Sequence, residues 1–275
     1  MYILTYFFKN FPTFLLKDPI STVQLVFWFV YKLVIWQKKD RTFYRRWNKI
    51  VYPANILWWL AIQEIFINQY YKELSWFENI LDLGWYFWET ALFLSRINWH
   101  IDVYEADPKT YKYMHNNICA IKNISAYNMA VVASNQKEMY FDDIGWYNMW
   151  WHITTDATKN LVQCIHIKDI LNAKQYQWIK IDIEWSEYGV VEWISTNYWR
   201  NKFKQWYVEF HYWNDEWIAK IDIMIRCISD LQTDFDVHIY DAQDGREIFD
   251  DMKNIKEHIQ QRKLNVVFVS FAAHA

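Results

Sequence analysis

Ile80-Leu81-Asp82-Leu83-Gly84-Trp85-Tyr86-Phe87-Trp88-Glu89-Thr90 reads as a short apolar strand, a tight turn and the opening of a helix. Such a turn leaves backbone N–H groups at a helix N-terminus facing outward, where a ligand can meet them. The chain must bend sharply and let that ligand close to the backbone, which favours a residue without a Cβ, here Gly84. A single Asp-x-Gly turn is also compatible with a plain strand–helix connection. Its weight comes from two acidic segments further along the chain.

About 20 residues on, at the offset where dinucleotide and nucleoside sites carry their acid, stands Val103-Tyr104-Glu105-Ala106-Asp107-Pro108. Glu105 falls at the end of the next apolar run, where a carboxylate can accept from ribose hydroxyls. The second acidic segment, Lys180-Ile181-Asp182-Ile183-Glu184-Trp185-Ser186-Glu187, places Asp182 inside a run that is otherwise apolar. A buried unpaired charge is costly, so Asp182 is paired or sits at a working strand end. Lys180 is the natural structural partner for one of these acids.

Between and beyond these segments, strands and helices alternate. The pattern predicts strands at 80–83, 101–105, 125–131, 163–167, 179–183, 205–211, 237–241 and 266–271. Helices are expected at 89–96, 108–119, from 186 and at 215–231, with a hairpin insertion at the start of 137–169. Alternation of this kind implies an α/β fold, a doubly wound, Rossmann-like sheet, mostly parallel with an antiparallel edge strand. Residues 1–75 are expected to form an N-terminal helical extension with a short hairpin at 41–53, and residues 76–275 the Rossmann-like domain.

The ordered set of motifs resembles the FkbM family of class I S-adenosylmethionine-dependent methyltransferases, over roughly residues 40–271. Asp82, Gly84, Glu89 and Thr90 match its cofactor-binding opening, whereas Trp85 and Trp88 stand at family glycines. Tyr104 to Pro108 is similar to its ribose segment, with Glu105 and Ala106. Asn128-Met129-Ala130 resembles its adenine-side Asn-x-Ala. Lys180 to Glu187 resembles its acidic signature, with Trp185 at a glycine, and Glu209-Phe210-His211 its following Glu-x-His strand. The resemblance implies a seven-stranded sheet and S-adenosylmethionine as cofactor, held by Asp82, Gly84, Trp85, Trp88, Glu89, Thr90, Glu105, Ala106, Asn128 and Ala130. It implies methylation of a hydroxyl on a sugar or a lipid- or polyketide-like acceptor, with Asp182, Glu184 and His211 on the catalytic side. His211 is a candidate general base, its ordinary pKa lying near neutrality. It reads equally as a satisfied core histidine. No other histidine shows metal-ligand spacing, and no metal is expected.

Composition sets the remaining bounds. The chain has 275 residues, 22% charged, with a formal net charge of -3, which gives no electrostatic basis for a nucleic-acid partner. Cys119, Cys164 and Cys227 form no CxxC pair and fit buried thiols in a reducing, cytoplasmic setting. The apolar stretch 23–36 is interrupted by Lys32 and is shorter than the roughly 20 residues of a membrane span. Aromatic and basic residues alternate there, so peripheral membrane contact through residues 1–40 is a second expectation. There are 4 glycines and 19 tryptophans, where average usage gives about 19 glycines at this length. Many tryptophans fall where the chain should reverse or approach closely, among them Trp58, Trp59, Trp85, Trp88, Trp99, Trp146, Trp150, Trp151 and Trp185. UGA is read as glycine in some bacterial codes and as tryptophan in others, so a gene translated by the wrong table would give this pattern; a deliberately substituted chain is the alternative. Literal tryptophans at 85, 88 and 185 favour the alternative of a catalytically silent Rossmann-like module.

Overall fold

The computed structural model describes residues 41–45, 48–52, 77–84, 91, 95, 100–143, 151–154, 160–183, 186–197, 203–211, 220–241, 257 and 266–274. The N-terminal helices expected in 1–40 and 55–75 lie outside these residues, as does most of the helix expected at 89–96. The expected hairpin is present: β1 (Arg41–Arg45) pairs antiparallel with β2 (Asn48–Tyr52).

Seven strands form the main sheet. They are β3 (Asn79–Leu83), β4 (His100–Tyr104), β5 (Ile124–Tyr127), β10 (Trp178–Ile181), β11 (Gln205–His211), β12 (Phe235–Asp241) and β13 (Val266–Ala273). Their spatial order is β12-β13-β11-β10-β3-β4-β5. Strands β5, β4, β3, β10 and β11 run parallel, and β13 is antiparallel to both β11 and β12. The reversed strand therefore lies at the expected end of the sheet, with β12 outside it. Strands β3, β4 and β10 are buried almost throughout: Ile80, Leu81, Leu83, Ile101, Val103, Ile179 and Ile181 are all 0% exposed. Continuous apolar runs are what a parallel sheet covered on both faces requires. Each such side chain contributes about 1.5–3 kcal/mol of burial.

A second sheet is built from β6 (Ala130–Val132), β7 (Glu138–Asp143), β8 (Trp151–Thr154) and β9 (Asn160–His166), in the order β6-β9-β7-β8. It corrects two expectations. The single strand at 125–131 is two strands broken at Asn128-Met129, the second of which joins β9. The strand expected at 163–167 starts at Asn160, ends at His166 and belongs to this smaller sheet. Ile167 instead opens a helix, because His166 accepts from the Lys168 N–H and caps it.

Four helices are described in full: α1 (Pro108–Ile118), α2 (Ile167–Ala173), α3 (Glu187–Thr196) and α4 (Ile221–Leu231). Asp107 caps α1 by accepting from the Lys109 and Thr110 N–H groups, and Pro108 supplies a preset φ at the first position. In α4, Ile221, Met224, Cys227, Ile228 and Leu231 form one buried stripe at helical spacing. Cys164 and Cys227 are buried as expected, while Cys119 is exposed. No helix among the described residues is long and apolar enough to cross a membrane.

Candidate functional site

The strand order reverses between β3 and β10. From β3 the chain winds outward to β4 and β5, and from β10 to β11 on the other side. The crevice at the carboxyl ends of such a pair is where open α/β sheets bind ligands. Every sequence-predicted site residue that is described lies at or beside the ends of β3, β4, β5, β10 and β11, except Ala130, which opens β6 of the second sheet.

Gly84 is the hinge of this crevice. Its φ is +76°, and a Cβ placed there would stand 1.7 Å from the Asp182 carbonyl oxygen. Its N–H donates to Tyr104 O at 2.9 Å, and the Asp182 N–H donates to Leu83 O at 2.9 Å. The ends of β3, β4 and β10 are thus drawn together around one residue with no room for a side chain.

Strand register puts the charged groups on one face. Asp82, Lys180 and Tyr207 are neighbours across β3, β10 and β11, and Asp182, Glu209 and His211 follow at alternate positions. Asp82 is fully buried, and neither of its carboxyl oxygens has a partner among the described residues. Burial pushes its pKa up to about 8, against the pull of Lys180 and with Asp182 adding to the rise. Asp182 behaves oppositely. Burial alone would raise it, but the Lys180 ammonium and then His211 outweigh that and hold the carboxyl below its ordinary value. Lys180 Nζ lies 2.8 Å from Asp182 Oδ2 and 3.3 Å from Gly84 O, which makes it the structural partner that its place in the motif suggests.

His211 ends β11 and is 4% exposed. Its Nδ1 lies 3.2 Å from Glu187 Oε1, which also accepts from the His211 N–H at 3.3 Å. Tyr188 donates its hydroxyl to His211 O at 3.0 Å. The other ring nitrogen, Nε2, stands 4.0 Å from Asp182 Oδ1 and 3.8 Å from Glu209 Oε1. One nitrogen is therefore fixed by a buried carboxylate while the other is directed at two more. Glu187 and Glu209 belong to this centre, and the sequence does not single them out as site residues. Alternation along β11 from His211 points to Glu209 once the strand is placed. Glu187 needs the packing of α3 on β11, which no local pattern gives.

Glu105 follows β4 and is 5% exposed. Its Oε1 accepts from the Asp107 N–H at 2.7 Å, and its own N–H donates to Tyr127 O at 3.0 Å. Asn128 donates its side-chain amide to Glu105 O at 2.8 Å and to Ala106 O at 3.1 Å, tying the ends of β4 and β5 together. Tyr104 and Tyr127 stack beside them with ring centroids 4.7 Å apart. Ala130 is buried in the small core of the second sheet, with Ala106 packed against it. Trp85, Trp88, Glu89, Thr90 and Glu184 lie outside the described residues.

Residues 77–244 match the methyltransferase FkbM domain family. No curated protein sequence matches the chain. Among solved structures, the chain is similar to a StiE O-MT, with 8% identity, 81% of this chain and 76% of that one covered, and a TM-score of 0.43. It is similar to a TehB-like SAM-dependent methyltransferase from Corynebacterium glutamicum, with 8% identity, coverage of 78% and 94%, and a TM-score of 0.41. An rRNA methylase from Streptococcus thermophilus shares 7% identity over 72% of this chain and 88% of that one, with a TM-score of 0.39.

Proposed function

The chain belongs to the FkbM methyltransferase family, and from that premise we propose that it methylates a hydroxyl group on a sugar or a lipid- or polyketide-like acceptor. The observation that carries this reading is the carboxylate-anchored histidine, His211 on Glu187, set beside Asp182 at the hinge made by Gly84.

The residues present suit S-adenosylmethionine. A side-chain-free turn at Gly84 allows close approach of a ligand to the backbone. The buried oxygens of Asp82, without partners among the described residues, suit a positively charged or hydrogen-bond-donating ligand. Glu105 is a buried carboxylate at the next strand end, in place for ribose hydroxyls. Asp82, Gly84, Glu105 and Asn128 would hold the cofactor, with Trp85, Trp88, Glu89 and Thr90 assigned to the same loop by the family motif. When bound, the cofactor supplies an electrophilic methyl group on a sulfonium.

The chain's own contribution is then positioning and proton handling. Holding the hydroxyl oxygen in line supplies much of the barrier reduction in a displacement of this kind. The Asp182–His211 centre receives the hydroxyl proton, a general-base contribution typically worth about 10²–10⁴ in rate. Glu187 keeps the imidazole oriented and Lys180 keeps Asp182 ionised, and Glu184 is placed on the same side by its position in the motif. Segments 1–60 and 137–165 are proposed to build the acceptor pocket, with residues 1–40 also making peripheral contact with a membrane from the cytoplasmic side.

The test is transfer of a labelled methyl group from S-adenosylmethionine to sugar and lipid hydroxyl acceptors. Transfer that is recovered as an ether supports the reading. Label recovered only on nitrogen or carbon overturns the hydroxyl assignment. Calorimetric titration of S-adenosylmethionine into the chain with Trp85, Trp88 and Trp185 replaced by glycine should give saturable binding that Glu105→Gln weakens about tenfold, the cost of roughly one hydrogen bond to a charged group. Unchanged affinity would remove Glu105 from the ribose role.

A further inference from the structure

The geometry points to a divalent-cation site formed by Asp182 Oδ1, Glu209 Oε1 and His211 Nε2 at the carboxyl ends of β10 and β11. One candidate ligand atom from each residue lies within 4.8 Å of the others. The distances of 4.0 Å and 3.8 Å from Nε2 to the two carboxylates exceed a hydrogen bond. They fall between the spacings of adjacent and opposite ligands around a shared ion, so the carboxylates would close on Nε2 by up to about 1 Å when an ion binds. Two donors each about 2.1 Å from one cation stand about 3 Å apart when adjacent and about 4.2 Å apart when opposite.

A second, independent feature is how the donors are held. The far nitrogen of the ring, Nδ1, is tied to Glu187, a carboxylate that is 0% exposed. A carboxylate behind the imidazole is the recurrent arrangement for a metal-binding histidine, because it fixes the tautomer and raises the basicity of the ligating nitrogen. Asp182 is held likewise: Oδ2 lies against Lys180 Nζ at 2.8 Å, which leaves Oδ1 turned toward His211. The local charge suits a cation. Among the described residues the carboxylates of Asp182, Glu187 and Glu209 surround the imidazole, with the Lys180 ammonium on Asp182. Carboxylates brought this close are stabilised by a shared proton or by a cation between them.

One imidazole nitrogen and two carboxylate oxygens form a set suited to Mn²⁺ or Mg²⁺, with the remaining positions open to water or substrate oxygen. On the function proposed above, those open positions would take the acceptor's hydroxyl together with a neighbouring oxygen; the ion would lower the hydroxyl pKa in place of general-base action by His211, whose Nε2 is then a ligand, and the proton would leave to solvent. That consequence rests on the methyl-transfer reading. The cation site does not.

The test is titration of Mn²⁺ into the full chain, with free Mn²⁺ followed by its paramagnetic resonance signal. One saturable site is expected. Glu209→Gln and His211→Gln should each weaken it at least about tenfold, and Glu187→Gln, acting through the ring, about tenfold as well. Mn²⁺ should raise the melting temperature of the unchanged chain and not that of Glu209→Gln. Far-UV spectra and cooperative melting identify the variants that remain folded, and Asp182→Asn replaces any that does not. A folded chain that binds no Mn²⁺ overturns the site, as does equal binding by both Glu209→Gln and His211→Gln. S-adenosylmethionine titrated into the same samples is read separately, so loss of one result leaves the other standing.

Discussion

Gly84 and Asp82 show how far single residues can be argued. At Gly84 a side chain meets two penalties: a φ of +76° and a Cβ 1.7 Å from a backbone oxygen. The first costs about 1–2 kcal/mol and the second about 1–3 kcal/mol where neighbours cannot move. Gly84→Ala should therefore destabilise by at least about 2 kcal/mol in denaturant unfolding, and a change under half that would show that the turn can relax. Asp82 makes a prediction in pH. Its folded pKa is raised from 3.8 to about 8, so the folded state binds the extra proton throughout that interval. Stability should then be fully present below pH 4, decline as pH rises, and have lost this contribution above pH 8. Asp82→Asn should flatten that slope and raise stability at the alkaline end. An unchanged slope would assign it to other groups. Both residues are legible in the sequence because a strand-turn-helix motif is local. Glu187 and Glu209 are not legible as site residues, since their role depends on which strand lies beside β10 and which helix lands on β11.

Strands show the same division. Alternation in the sequence delimits β11 from Gln205 to His211, and its partner strands fix both faces. The break between β5 and β6 escapes a reading of the sequence, since residues 124–132 carry no glycine or proline and Asn128 makes the break by bonding Glu105 O and Ala106 O. A side chain that satisfies two backbone carbonyls ends a strand without any glycine or proline to announce it. Within β11, Trp206 is 0% exposed, packed edge-on against Phe203, Phe235 and Phe271. Its indole N–H has no partner among the described residues. An orphaned buried donor costs about 1–3 kcal/mol, which offsets part of the packing gained. Trp206→Phe should consequently change stability by less than about 1 kcal/mol, relief of the donor balancing the lost volume. Trp206→Ala should cost about 3–5 kcal/mol, because it empties the cluster. Equal losses for the two substitutions in thermal melts would mean that the N–H is satisfied.

For the whole molecule, the sheet order brings Gly84 and Asp182, far apart in sequence, so close that no side chain fits between them. Positions 85, 88 and 185 adjoin this contact in the chain, and each carries tryptophan where the family motif carries glycine. An indole in a turn that must reverse, or beside backbone that a ligand must reach, opposes the proposed function. Tryptophans with packing roles are different: Trp178 and Trp206 are fully buried in the core. The decoding explanation therefore predicts two classes of codon, UGA at Trp85, Trp88 and Trp185, and UGG at Trp178 and Trp206. UGG at all of the first three would sink it. It also predicts a gain of function in protein. Replacing Trp85, Trp88 and Trp185 together by glycine should convert weak or absent S-adenosylmethionine binding into saturable binding in calorimetry. Stability should rise as well, since glycine removes about 1–2 kcal/mol of strain at each position held at positive φ. If the triple variant is folded and still binds nothing, the family membership of this chain would extend to its fold and not to its cofactor.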